Sequence, residues 1–457
     1  MNWRSLMKHE TSGLRLNYKR TVFLGLAFLS ICSFWQLYEN IIPKMLKYTF
    51  GLEDSITNSI MALDNVLALL LLPLFGRISD KVKTPIGKRT PFIVGGTILA
   101  AGSMIFIPYA DQKGNLILFV VCLGAVLLAM SFYRSPAVAL MPDLTPKPLR
   151  SKANAIINLM GAVGGVYALI IMKLFIPTGE RPDYTPVFLF VILLMLISIV
   201  VLFITIKENK LVAEVEEVNK QLEAKEKELS ATLEGTLSYD QEECAQDKVS
   251  EPKLMSKEVK RSLYFILASI FLWFTAYNGV TTAFSRYVTE VWGLTGGGFT
   301  NSLMVATVAA IFSYIPIGFI SSRVGRKKTI IVGIILMTVS YLSGCFLVHY
   351  SPVIYVVFAF TGIGWAAINV NSYPMVVEMS KGADIGKYTG IYYTFSMAAQ
   401  IFTPVFSGFL LQYISYRILF PYALIFSIAS LVTMLFVKHG DSIPERRSGL
   451  ENFDVDD

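Results

Sequence analysis

Long uncharged runs separated by short polar turns dominate the hydropathy pattern of this chain. "FLFVILLMLISIVVLFITI" (188–206) and "IIVGIILMTVSYLSGCFLV" (330–348) carry no acidic or basic residue. Each approaches the roughly 20 residues that a helix needs to cross the hydrocarbon core of a bilayer. The pattern predicts twelve helical spans, at 21–45, 55–79, 90–110, 115–142, 153–177 and 185–206, then 260–290, 299–321, 328–348, 352–378, 386–413 and 417–437. The expected class is an all-α polytopic membrane protein. The run starting near Thr21 is too long for a signal peptide's apolar region and lacks a small-residue cleavage site, so it is expected to be a retained span.

The polar segments sort by side. Arg4, Lys8, Arg15, Lys19 and Arg20 precede span 1; Lys147, Arg150 and Lys152 follow span 4; Arg323, Arg326, Lys327 and Lys328 follow span 8. The loop after span 2 is also basic, whereas odd-numbered loops are short and mixed in sign. By the positive-inside rule, both termini and the even-numbered loops are expected in the cytoplasm, with the protein in the plasma membrane. Residues 207–259 are polar: "KENKLVAEVEEVNKQLEAKEKELSATLE" favours a charged helix, and "GTLSYDQEECAQDKVSEPK" a flexible linker. A single short helix is marginal alone, so this segment reads as a tether. The expected organisation is a six-helix bundle over 1–206, a cytoplasmic linker over 207–259, a second bundle over 260–437 and a tail over 438–457.

Composition narrows the chemistry. Of 457 residues 54% are hydrophobic and 16% charged, against about a quarter charged in soluble proteins. The net charge of +7 follows from the loop sorting and calls for no nucleic-acid partner. Cys32, Cys122, Cys244 and Cys345 are scattered without metal-site or disulfide spacing, and His9, His349 and His439 fall at segment ends or tails. No catalytic constellation and no phosphate-cradling loop are present, so neither a cofactor nor ATP is expected.

The loop after span 2, "GRISDKVKTPIGKRTPF" (76–92), is echoed after span 8 by "GFISSRVGRKKT" (318–329), and "ALMPDLTPKPLRSKANA" (139–155) is echoed by "PMVVEMSKGADIGKYTG" (374–390). Parallel six-span repeats characterise carriers whose two halves rock about a midplane site. Gly76, Asp80, Gly87, Lys88 and Arg89 resemble the signature loop of the major facilitator superfamily, which implies that fold. In such a loop a glycine would let spans 2 and 11 approach, and Asp80 would pair with the basic cluster and cap a neighbouring helix, forming a conformational latch. Arg150, Arg326 and Glu378 are placed in the same latch.

The finer spelling, with "SPAVALMPDLTPKPLRSKANAIINLMGAVGGV" (135–166), is similar to the glycoside–pentoside–hexuronide:cation symporter family on its sucrose-transporter-like side, mostly over the first 170 residues. That resemblance implies sugar–cation symport. The sodium-binding aspartates of melibiose-type members would fall at Ala68, Leu72 and Arg134, which cannot form that site. Protons rather than sodium are therefore the expected coupling ion, and the resemblance makes Asp143 a candidate proton site as well as a gate residue.

Ionisable residues inside spans are costly and hence functional candidates. Glu39, Asp64, Arg134 and Arg286 qualify, with Asp64 deepest and expected to carry the proton, and Glu39 and Asp143 as its rivals. Sugars are held by aromatic faces and by amides or carboxylates. Those residue types occur as Trp35, Gln36 and Tyr38 in span 1, Tyr277 and Asn278 in span 7, Asn369 and Asn371 in span 10, and Tyr392 and Gln400 in span 11, with Arg134 added from span 4. Such residues also glue helices together. What favours binding is that spans 1, 7, 10 and 11 would all face the central cavity. The sequence reading is a monomeric, bilayer-embedded importer of a di- or oligosaccharide. Its alternatives are a carrier or exporter of another polar solute, or a transporter-like sugar sensor.

Overall fold

The computed structural model describes residues 16–179, 181–237, 257–379 and 385–440. Twelve helices in that set are long and apolar enough to cross a membrane. Spans 1 to 6 are Tyr18–Lys44, Asp54–Lys81, Thr90–Gln112, Leu116–Asp143, Arg150–Phe175 and Thr185–Thr205. Spans 7 to 12 are Lys257–Trp292, Thr300–Val324, Arg326–Cys345, Val353–Glu378, Ile385–Tyr413 and Leu419–Leu435. Span 1 runs on past Pro43 into a π-helical turn, Met45–Thr49. A thirteenth helix, Glu208–Leu237, opens the linker; the second half of the linker lies outside the described residues, as does the tail beyond residue 440.

Local chemistry sets many of the helix starts. Asn17 and Asn115 accept from the backbone N–H groups of Arg20 and Leu118, satisfying donors that the first turns of spans 1 and 4 leave open. Spans 3 and 6 carry proline in their first turn, where its missing N–H costs nothing. The spans alternate in direction, so one face of the molecule holds the linker helix and the other holds the turns after spans 1, 3 and 5.

Lipid tails are as apolar as leucine, so helices associate in a bilayer through close packing rather than hydrophobic expulsion. Gly164 of span 5 shows this: a Cβ there would collide with the Leu29 carbonyl of span 1. The pairs in contact are 1 with 5 and 6, 3 with 4 and 6, and 2 with 4. The same pairs recur six spans later: 7 with 11 and 12, 9 with 10 and 12, and 8 with 10. Two pseudo-symmetric bundles result, meeting chiefly through spans 2 and 11 and spans 5 and 8. Large apolar side chains such as Leu70, Ile98, Leu193, Val332 and Ile425 point outward and are exposed, as a lipid-facing surface requires.

Candidate functional site

Between the bundles lies a cavity of about 560 Å³, lined from both halves of the chain. Its deep wall holds Trp35, Tyr38 and Glu39 of span 1 with Asp64 and Asn65 of span 2. Span 4 contributes Arg134, and spans 7 and 11 contribute Asn278, Tyr393 and Gln400. The lining continues through Asn158 and Asn154 to Pro142 and Arg150, at the linker-face ends of spans 4 and 5. The cavity thus reaches from mid-membrane to the linker face.

The polar groups are arranged rather than scattered. Asn65 donates to the Asp64 carboxylate at 2.8 Å, fixing one of its oxygens. The Arg134 guanidinium sits 5.7 Å from the Trp35 ring, and Tyr38 meets that ring edge-on at 5.4 Å. The indole N–H of Trp35 and the side-chain amide N–H₂ of Asn278 are both buried without a protein acceptor. Buried donors are normally paired, so these two donors, on residues that line the cavity, stand out as unsatisfied in this state. A second lobe of about 260 Å³ is lined by Gln36 and Asn369 together with Trp365 and Tyr314. Tyr277 stacks flat on Trp365 at 3.8 Å, so it backs that lobe while Trp365 forms its wall.

Two of the expected binding residues lie elsewhere. Asn371 is buried and donates to the Ala367 carbonyl of its own helix. Tyr392 is buried with its hydroxyl 3.1 Å from that of Ser372. Tyr392 thus joins spans 11 and 10, the helix-gluing role, while the Asn371 amide bonds back onto span 10 itself. Sequence reading also missed Asn65, Asn154 and Asn158. The last two stand four residues apart in "ANAIIN", a spacing that places them on one helical face.

The latch is a cluster on the linker face. Arg89, 5% exposed, reaches the Asp80 carboxylate and, at 3.0 Å, that of Asp143, which Lys88 also pairs with at 3.0 Å. Asp143 therefore pairs with the loop after span 2. Arg150, placed in the same latch, donates instead to the carbonyls of Thr145 and Pro142. In the second half Arg326 pairs with Glu378. Gly76 was expected to let spans 2 and 11 approach, but its nearest neighbour is Ser135 of span 4. Spans 2 and 11 do meet closely, at Gly408 against Asn58 near the opposite face.

Asp80 was expected to cap a helix, and Glu208 from the linker does so instead. Its carboxylate, 1% exposed, accepts from the backbone N–H groups of Lys88, Arg89 and Thr90 at 2.8–3.1 Å and from the Thr90 hydroxyl at 2.7 Å. An anion at the N-terminus of span 3 satisfies open donors and complements the helix dipole. Gly87, at φ +125°, has its missing side chain directed into this carboxylate. Asn209 adds bonds to the Thr84 and Pro85 carbonyls. The linker therefore begins as a docked element rather than a bare tether.

At the opposite face a buried ionic network joins the bundles. Arg286 of span 7, 1% exposed, donates to Asp54 at 3.0 Å and Asn58 at 2.7 Å in span 2. Tyr416 also bonds Asp54, and Lys47 bridges Asp54 and Glu290 at 2.9 and 3.0 Å. Arg286, a sequence candidate for the membrane interior, thus belongs to a seal outside the cavity.

Two six-span bundles around a polar cavity that is sealed at one face and reaches the other form the architecture of a membrane carrier. The chain belongs to the Major Facilitator Superfamily, whose sequence profile matches residues 23–315 and 302–453. It is similar to the sucrose transport protein SUC3 of Arabidopsis thaliana, 24% identical over 151 residues, covering 29% of this chain and 25% of that protein. The sucrose transport protein SUT3 of Oryza sativa subsp. indica is likewise 24% identical over 151 residues, 29% of this chain and 30% of that protein. The similar region thus spans less than a third of either relative. Among solved structures, the fold is similar to the inward-open xylose transporter XylE from E. coli, with TM-score 0.62 and 14% identity over 92% of this chain and 96% of that one. It is also similar to a peptide transporter POT in complex with sulfate, with TM-score 0.63 and 12% identity over 92% and 93%. At these identities the likeness is one of fold.

Proposed function

We propose that this chain is a secondary active carrier that imports a di- or oligosaccharide across the plasma membrane, driven by protons. The linker face is cytoplasmic, as the basic loops require, and both termini lie there. The observation that carries the sugar reading is the cavity lining: an indole with an unpaired N–H, five amide side chains, and the carboxylates of Glu39 and Asp64 within about 560 Å³. Hydroxyl-rich, uncharged guests match amides and carboxylates, and their C–H faces match aromatic rings. The similarity to plant sucrose transport proteins supports the same class. A single chain supplies the whole lining, so a monomer suffices.

In this reading the bundles over 1–206 and 260–437 rock about the cavity. The Arg286–Asp54 network, which crosses between the bundles, holds the outer face shut in this state, while the cluster around Arg89 keeps the turn after span 2 fixed on the end of span 4 within the first bundle. Asp64 is the proton-linked acid: it lies some ten residues, about 15 Å, inside span 2 and faces the same space as the sugar. Asp143, engaged by Lys88 and Arg89, serves the latch.

Proteoliposomes test the reading. A pH gradient should drive accumulation of labelled sucrose or a related oligosaccharide, with inward proton flux. Asp64→Asn should abolish gradient-driven accumulation and leave sugar exchange at equal pH intact. Accumulation that survives in this variant moves the proton site to Glu39 or Asp143. Binding without any accumulation by the unaltered protein favours the sensor, and indifference to sugars favours a carrier of another solute.

A further inference from the structure

We propose that the linker face carries a seat for an anionic phospholipid, set between the first turn of span 1, the end of span 6 and the start of the linker helix. A cavity of about 420 Å³ opens there, apart from the substrate cavity. Among the described residues, Lys19, Arg20, Lys207 and Lys210 line it against a single carboxylate, Glu214. Arg20 lies 3.9 Å from Glu214 and reaches the Leu144 carbonyl at 3.4 Å. Among the described residues no carboxylate stands within ion-pair distance of Lys19, Lys207 or Lys210. Three cations thus face one opening with their charge uncompensated.

The apolar part of the site separates a lipid from a free anion. Phe23, Ile206 and Leu211 form the floor. One turn toward the bilayer, Phe203 and Ile204 are 41% and 63% exposed and continue that wall into the lipid-facing surface. The Lys207 ammonium bends to 5.9 Å from the Phe203 ring, bringing its charge to the depth where a headgroup meets its acyl chains. Basic pockets between helices on the cytoplasmic side hold anionic headgroups through such charges, each cation being worth roughly fivefold in affinity. A free phosphate would use the cations and leave the wall idle, whereas a phosphatidyl lipid uses both. Lys207 precedes Glu208 in the chain, so a lipid bound here braces the residue that holds the latch turn.

Native mass spectrometry of the full-length protein, extracted from vesicles of phosphatidylcholine and phosphatidylglycerol, provides the test. The Lys207→Gln/Lys210→Gln double variant should retain phosphatidylglycerol about 25-fold less than the unaltered chain. A Lys327→Gln/Lys328→Gln variant, with the same charge loss on the same face of the other bundle, should retain it unchanged. Glu214→Gln, which removes the only carboxylate among the described lining residues, should raise retention severalfold, an opposite sign that a folding defect would not give. Excess glycerol 3-phosphate or inorganic phosphate should not displace the lipid. Equal retention in the double variant and the unaltered chain overturns the proposal, as does displacement by either free phosphate.

Discussion

At the scale of single residues, the cavity is governed by a few side chains whose hydrogen bonding is left open. Trp35 is the clearest: its ring is braced by Phe34, Tyr38 and Arg134, and its N–H has no protein acceptor. A rigid aromatic of this kind offers contact area at little entropic cost. Trp35→Ala should weaken sugar affinity roughly tenfold, on the order of 1.4 kcal/mol, with yield and helical content unchanged. Isothermal titration with the purified protein checks this, and unaltered affinity would return Trp35 to a packing role. By the same reasoning Asn371 and Tyr392, whose polar atoms are already engaged inside their own bundle, should not affect affinity directly.

At the scale of elements, the linker helix begins with a buried and heavily bonded carboxylate. Glu208 caps span 3 through three consecutive backbone N–H groups, and hydrogen bonds to a charged group are worth about 1.5–3 kcal/mol each when buried. Glu208→Gln keeps the shape, removes the charge and turns one acceptor into a donor facing donors. It should cost about 2–3 kcal/mol, read as a lower apparent Tm in detergent, and should loosen residues 82–90 in hydrogen exchange. Protection equal to that of the unaltered chain would show that the linker helix only rests against the turn.

At the scale of the whole molecule, the Arg286–Asp54–Asn58 and Lys47–Glu290 contacts all run between bundles at one face. In the proposed rocking cycle, closing the linker face requires the bundles to separate here, so the network would stabilise one state only. Removing one partner of a buried ion pair costs about 3–5 kcal/mol, and about 1.4 kcal/mol already changes a two-state population tenfold. Arg286→Gln should therefore shift the equilibrium toward the state open at the outer face. Distances between spin labels on the outer ends of spans 2 and 11 should lengthen. An unchanged distance distribution would remove this network from the gate.

The twelve spans, their sidedness pattern, the internal repeat and the basic turn after span 2 were legible in the sequence because each depends on local composition or near-neighbour spacing. Length and apolarity alone dictate a span. The repeat shows in the paired loops, and it reappears in the structure as span contacts that recur six helices later. Trp35, Glu39, Asp64 and Arg134 were recognisable because a charged or amphipathic side chain within an apolar run has few bland explanations. Rotation of the helices about their axes and the pairing of charges over long separations were not legible. Whether Asn371 faces the cavity or its own bundle depends on how span 10 is turned by its neighbours. The partners of Asp143, Arg286 and Glu208 lie 54, 232 and 118–120 residues away. A carboxylate's choice among several possible cations is set by the distance and burial that packing creates, and only the tertiary structure supplies those.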